Sequence, residues 1–102
     1  MKDIEFIQTE KCFETQEKYE NSSKYKYKEF CSCCGRGIKG EPKFWLNTIE
    51  GPSVVPFNTT EEEMKKEGLY TQGLFPIGSE CKKRYPKEYV GTFPEYKSIK
   101  NE

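Results

Sequence analysis

The chain has 102 residues, and its 17 basic side chains balance its 17 acidic ones, so the net charge is zero. It contains no histidine, which excludes catalytic triads and metal sites that depend on imidazole. No stretch approaches 18 apolar residues, so a membrane-spanning helix is also excluded. Aliphatic residues are scarce, and we therefore expect a small, largely aromatic core held by a crosslink.

The length predicts a single domain over residues 1–102, with an N-terminal segment (1–23), a core (24–90) and an irregular tail (91–102). The N-terminal segment is acidic, and Ile4 to Ile7 predict a short strand or the start of a helix. The spacing of Cys12, Phe13 and Tyr19 predicts a helix within residues 9–20. The acids among the first five residues are atypical of a signal peptide, so we expect a cytoplasmic protein.

Residues 24–28 alternate strictly between lysine and tyrosine, which predicts a strand. Lys24, Lys26 and Lys28 would then share one face. We interpret that face as the solvated surface of an edge strand. The alternative is a face that follows nucleic-acid phosphates, with tyrosines available for stacking.

The second half of the core predicts a hairpin, a helix, a strand and a short helix. The helix has a threonine cap followed by three glutamates, an arrangement that suits the positive end of a helix dipole. Pro56 suggests an edge position for the second hairpin strand, and Pro86 limits the last helix. The predicted elements are strands over 43–48 and 53–57, a helix from Thr59 or Thr60 to Gly68, a strand within 69–77, and a short helix opening at 78–81.

The cysteines carry the main chemical signal. Cys31 and Cys34 form a C-x-x-C turn, and the glycine that follows permits backbone N–H groups to point at the sulfurs. Cys81, at the start of a predicted helix, is the natural third ligand. A knuckle followed by a helix-borne cysteine is the layout of a treble-clef-like Zn²⁺ site. Buried reduced thiols or disulfides are the alternatives.

The fourth zinc ligand is open between Cys12, Cys33, Glu80 and a solvent molecule. We favour Cys12, because Cys33 would be strained in reaching the same ion as its two neighbours. A solvent molecule in that position would instead indicate a catalytic zinc.

The pattern Cys31-x-x-Cys34-Gly35-Arg36-x-Ile38, with a distal Gly78-Ser79-Glu80-Cys81-Lys82-Lys83, resembles one found in small uncharacterised phage and bacterial proteins that are taken to bind zinc. The resemblance covers only these two segments. It implies zinc on Cys31, Cys34 and Cys81 and a phage or mobile-element origin, and it implies no specific activity.

These observations predict an α+β domain with an antiparallel sheet and two or three short helices around a structural zinc. We expect a non-enzymatic, phage-type accessory protein that binds, and by class inhibits, a host protein. One alternative is a nucleic-acid-binding zinc module; the other is a zinc-dependent hydrolase with an open metal site. The nucleic-acid surface would consist of Lys24, Lys26, Lys28, Lys82, Lys83 and Arg84.

Overall fold

The computed structural model describes residues 3–51 and 53–92. They form a small α+β domain with an antiparallel sheet and two α-helices. The elements in chain order are β1 (Ile4–Glu5), α1 (Cys12–Glu20), β2 (Glu29–Phe30), β3 (Gly37–Ile38), β4 (Phe44–Ile49), β5 (Ser53–Val55), α2 (Glu61–Lys66), β6 (Thr71–Ile77), two 3₁₀ helices (Cys81–Arg84 and Lys87–Tyr89) and β7 (Val90–Thr92).

β4 is the central strand, because β5, β6 and β7 all pair with it in antiparallel fashion. β6 follows one edge of β4 from end to end, while β7 and β5 divide the other edge between its first and second halves. β1 extends the sheet beyond β5. β5 is therefore an interior strand, and the edge position suggested by Pro56 is wrong: this proline follows the strand rather than interrupting its ladder.

The two faces of the sheet bury different clusters. Val54 packs with the cysteines and with Leu46, whereas its neighbour Val55 packs with Ile49 and Met64. Successive side chains of a strand point to opposite faces, so β5 contributes one valine to each cluster. α2 covers one face through Met64, and the cysteine-rich segments cover the other.

The predicted β4–β5 hairpin is confirmed, and a buried side-chain amide holds the chain in place where it leaves β5. The side-chain nitrogen of Asn47 donates to the backbone carbonyls of Phe57 and Thr59, at 3.3 and 3.1 Å. Asn47 is only 4% exposed, so these bonds replace the water that its amide loses on burial. They direct the chain out of β5 and into α2.

The predicted start and end of α2 are also confirmed. Thr60 is the N-cap, and its hydroxyl oxygen accepts a hydrogen bond from the backbone N–H of Glu63. The last helical residue is Lys66, and Gly68 then adopts a φ of +69°, which a residue with a side chain rarely adopts.

Residues 24–28 form no strand, in contrast to the prediction from their alternation. Tyr25 and Tyr27 do share a side, with ring centroids 4.7 Å apart, and the ring of Tyr27 also contacts Tyr19 and Phe30. The alternation therefore reflects an aromatic cluster on one side of an extended loop. It does not reflect a hydrogen-bonded ladder.

Gly91 and Thr92, which were predicted to begin the irregular tail, belong instead to β7. A side chain at Gly91 would collide with the ring of Phe57, so a glycine is what allows β7 to approach. The rest of the predicted tail, 93–102, lies outside the described residues.

The buried core is less aromatic than the composition suggests. Phe13 and Tyr70 are 72% and 71% exposed, and other rings lie at the periphery, where Phe6 meets Phe75 edge-on at 5.8 Å. Around the thiols the buried cluster combines the aliphatic side chains Leu46, Val54 and Ile77 with two tyrosine rings. The buried apolar residues include four cysteines (Cys12, Cys31, Cys33 and Cys81) and three aromatic residues (Phe57, Tyr85 and Tyr89).

Candidate metal centre

Three cysteine thiols converge in this domain. The Sγ atoms of Cys31, Cys34 and Cys81 all lie within 4.8 Å of one another. Cys31 follows β2 directly, Cys34 lies in the turn before β3, and Cys81 begins the first 3₁₀ helix. Cys31 and Cys81 are buried and Cys34 is half-buried. The structure thus brings together the three cysteines that the sequence analysis expected to share one ion.

The β2–β3 turn is fixed by its own backbone. The N–H of Cys31 donates to the carbonyl of Arg36, and the N–H of Gly35 donates to the carbonyl of Cys31, both at 2.8 Å. Gly35 has a φ of +80°, and a Cβ there would collide with the carbonyl oxygen of Cys12. Glycine is therefore needed at position 35 for the turn itself and for the approach of α1.

The sulfur of Cys31 lies among hydrogen-bond donors. The thiol of Cys33 and the backbone N–H groups of Gly78, Cys34 and Cys33 lower the pKa of Cys31 to about 4, although burial acts in the opposite direction. The donors of the turn therefore favour the thiolate form of Cys31. A metal-binding cysteine needs this form.

The pKa of Cys81 is shifted in the opposite direction from that of Cys31. Burial, then the negative charge of Cys31 and the hydrogen bonds with Cys31 and Cys34, raise the pKa of Cys81 to about 12. Two thiolates so close together repel each other in a poorly solvated site. A bound cation removes this repulsion, so the electrostatics of the cluster favour a metal ion over a second free thiolate.

The spacing and chemistry of the three thiols fit a tetrahedral metal. A zinc–sulfur bond of about 2.3 Å gives sulfur–sulfur separations of about 3.8 Å in a tetrahedral site. The three Sγ atoms, all within 4.8 Å, approach that geometry. Thiolate ligands suit zinc and the softer transition metals, and they do not suit magnesium or calcium.

The two remaining cysteines lie outside this group within the described part of the chain. The Cys12 thiol donates to the carbonyl of Ser32 at 3.6 Å, and the Gln8 side chain approaches it at 3.7 Å. Burial, then the negative charge of Cys31, raises the pKa of Cys12. Cys33 is fully buried, and its sulfur is 3.2 Å from the hydroxyl of Tyr85.

The other predicted site residues lie on the surface in two regions. Lys24, together with Lys18 and Arg36, lines a cavity at the C-terminal end of α1. The remaining candidate residues of that loop, Lys26 and Lys28, are exposed. Lys82 and Lys83 line a separate cavity, and Arg84 is exposed on the same 3₁₀ helix. Glu80, a candidate fourth ligand, is exposed and pairs with Lys83 at 3.6 Å.

Sequence reasoning did not predict the role of Tyr85, whose hydroxyl links the cysteine-rich turn to Ile7 near the start of the domain. Its hydroxyl accepts from the backbone N–H of Ile7 at 2.9 Å, lies 3.3 Å from the Ile7 carbonyl and contacts Cys33. No periodicity or motif indicates a bond between residues 78 positions apart. The only sign in the sequence was that Tyr85 follows Cys81 by four residues, and such a spacing is too common to interpret.

Comparison with known proteins finds no matching family model, no matching curated protein and no matching solved structure. The resemblance to small phage and bacterial zinc proteins therefore stays a prediction. Among the described residues, no helix has the length and apolar character needed to cross a membrane.

Proposed function

We propose that the protein is a non-enzymatic binding module stabilised by zinc. The observation that carries this proposal is the convergence of the Cys31, Cys34 and Cys81 thiols. In a chain without histidine, thiolates are the available soft ligands, and a thiolate set of this kind is typical of structural zinc. We extend the proposal to a treble-clef-like site, a cytoplasmic location that keeps thiols reduced, and a phage-type protein that inhibits a host protein.

Zinc would reinforce the connection between two parts of the fold that already pack together, with the Ser32 N–H donating to the Pro76 carbonyl at 2.9 Å. Cys31 and Cys34 lie in the turn between β2 and β3, which form a two-stranded sheet separate from the five-stranded one. Cys81 follows β6 of the larger sheet. When bound, the ion supplies a bond between these two units and offsets the thiolate charge. A domain of this size, with so few buried apolar side chains, gains most from such a bond.

For the fourth ligand we propose Cys12. It is buried, and its own backbone carbonyl packs against Gly35 in the turn that bears the other ligands. Its thiol makes only long contacts, of 3.6 and 3.7 Å, which are weak enough to exchange for a metal bond. Cys33, by contrast, makes a hydrogen bond with Tyr85 and another with Cys31.

The first experiment measures metal content and its effect on folding. We expect protein purified without chelator to carry about one zinc per chain, and we expect EDTA to unfold it, as judged by circular dichroism. Cys81→Ser should lose the metal. Metal well below one per chain, together with an unchanged fold in EDTA, would falsify the zinc proposal.

The second experiment identifies the fourth ligand with cobalt(II), whose sulfur-to-metal charge-transfer absorption rises with the number of thiolate ligands. We expect Cys12→Ser to reduce this band by about a quarter, since one of four thiolates is replaced. Cys33→Ser is the matched control, because it removes a neighbouring cysteine while leaving a hydroxyl to contact Tyr85. If Cys12→Ser leaves the band unchanged, Cys12 is not a ligand. A reduced band in Cys33→Ser would then assign Cys33, whereas unchanged bands in both variants would leave Glu80 or a solvent molecule, the last being the hydrolase-type site.

A further inference from the structure

A groove lies next to the helix that carries Cys81. It is a cavity of about 620 Å³ between the start of β4, the two 3₁₀ helices and β7. We call it the basic groove and define it by the residues that matter to the argument. These are Phe44, Lys82, Lys83, Lys87, Glu88 and Val90. Its volume is in the range of sites that hold a small ligand or a few peptide side chains.

The charge of the basic groove is positive. Three lysines line it against one glutamate, Glu88. Lys83 also pairs with Glu80 at 3.6 Å, but both side chains are more than two-thirds exposed, so this pair holds little of the lysine's charge. The ammonium of Lys82 lies 4.0 Å from the centroid of the Phe44 ring, a cation–π contact that keeps it at the groove.

Apolar side chains share the groove with these charges. Phe44 and Val90 are each half-buried and therefore retain surface that a ligand can cover. A ligand that matches this lining combines negative charge with at least one apolar side chain. An acidic peptide segment has that composition.

Nucleic acid matches the lining less well. Stacking of successive bases needs several accessible rings, but two of the three aromatic residues that line the groove, Phe57 and Tyr85, are buried. The basic residues are also divided, because Lys24 and Arg36 line a different cavity that shares no residue with the basic groove. A phosphate backbone is best followed by a continuous row of cations, and the net charge of the chain is zero.

We propose that the basic groove binds an acidic segment of a partner protein, whose carboxylates meet Lys82 and Lys87 and whose apolar side chain packs against Phe44 and Val90. This inference rests on the proposed binding function and names the chemistry of the partner. It also connects the groove to the metal centre, since Lys82 and Lys83 belong to the 3₁₀ helix that begins at Cys81.

The test begins with selection from an unbiased displayed library of peptides against the full, zinc-loaded chain. We expect the enriched peptides to carry net negative charge and a recurrent apolar residue. Failure to enrich any peptide, or enrichment of neutral or basic ones, overturns the inference. The zinc content of the same sample is measured separately, so a result that contradicts the groove proposal is distinguished from one that contradicts the metal proposal.

The second step measures the affinity of one selected peptide for variants. Lys82→Glu with Lys87→Glu should weaken it about tenfold or more, because two attractions become repulsions. Lys87→Glu alone, which lies outside the 3₁₀ helix that begins at Cys81, should also weaken the affinity even if the double variant loses metal. The matched control is Lys65→Glu with Lys66→Glu, two exposed lysines of α2 outside the groove. Unchanged affinity in both groove variants, or displacement of the peptide by a single-stranded oligonucleotide at equal concentration, overturns the inference.

Discussion

The hydroxyl of Tyr85 connects the first residues of the domain to its last third, and its removal in Tyr85→Phe is a sensitive test of the fold. The oxygen accepts from the Ile7 N–H at 2.9 Å and lies 3.2 Å from the sulfur of Cys33. Tyr85 is 6% exposed and Cys33 is fully buried, so water does not readily replace this bond at the sulfur. Ile7 is 37% exposed, so water reaches this end of the contact more easily.

From these contacts we expect Tyr85→Phe to lower the free energy of unfolding by about 2 kcal/mol. One ordinary hydrogen bond contributes about 1 kcal/mol, and the loss of one partner at a buried group adds about 1 kcal/mol, the low end of the usual range, because Cys33 keeps its bond with Cys31. In a domain of this length the change corresponds to a fall in Tm of roughly 10 °C. The ring itself remains, so packing around it is preserved.

Urea unfolding at fixed free zinc, followed by circular dichroism, measures this difference. The matched control is Tyr70→Phe, because Tyr70 is 71% exposed and loss of its hydroxyl should change stability by less than about 0.5 kcal/mol. If Tyr85→Phe is as stable as the parent chain, the hydroxyl does not hold the N-terminal segment and the reasoning is refuted.

Three further predictions concern backbone geometry, helix capping and alkaline pH. Gly35→Ala should lower the free energy of unfolding, measured in urea, by about 2–4 kcal/mol, because position 35 combines a positive φ with a collision at the Cys12 carbonyl. The control is Gly40→Ala, where φ is +72° but the space is open, and we expect it to lower the free energy of unfolding by only about 1 kcal/mol. Thr60→Ala should cost about 1 kcal/mol by removing the α2 cap, and an undiminished stability would exclude that bond. Burial, then contact with the neighbouring thiol of Cys33, raises the pKa of Tyr85, so this hydroxyl ionises first in the unfolded chain. Its contribution to stability should therefore be complete below about pH 10 and be lost above it, and above pH 10 the stability of Tyr85→Phe should decline less steeply than that of the parent chain. Parallel alkaline curves for the two proteins would contradict this assignment.

The features predicted correctly are those encoded by neighbouring residues. The α2 cap needs only Thr60 and the glutamates after it, and the β4–β5 hairpin needs two strand-forming runs and a short turn. The two thiols of the C-x-x-C turn are likewise adjacent because of their spacing. Cys81 joined them in the prediction because it stands at the start of a predicted helix, where the dipole favours a thiolate.

The features that were missed depend on contacts between distant residues. Residues 24–28 have the alternation of a strand, but a ladder also needs a partner strand, and alternation does not encode one. Gly91 permits β7 to form because of the Phe57 ring, and that contact becomes visible only in three dimensions. The fourth ligand stayed open for the same reason, since the position of α1 relative to the turn is not a local property.

The contact between Tyr85 and Ile7 also constrains when the domain can be completed during synthesis. The chain leaves the ribosome N-terminus first, so residues 3–7 emerge long before the tyrosine that holds them. β1 also emerges before its partner, but by fewer residues, since β5 begins at Ser53. Residues 3–7 therefore gain their last contact only when nearly the whole domain has emerged, and a nascent chain stopped before Tyr85 should leave them open to protease.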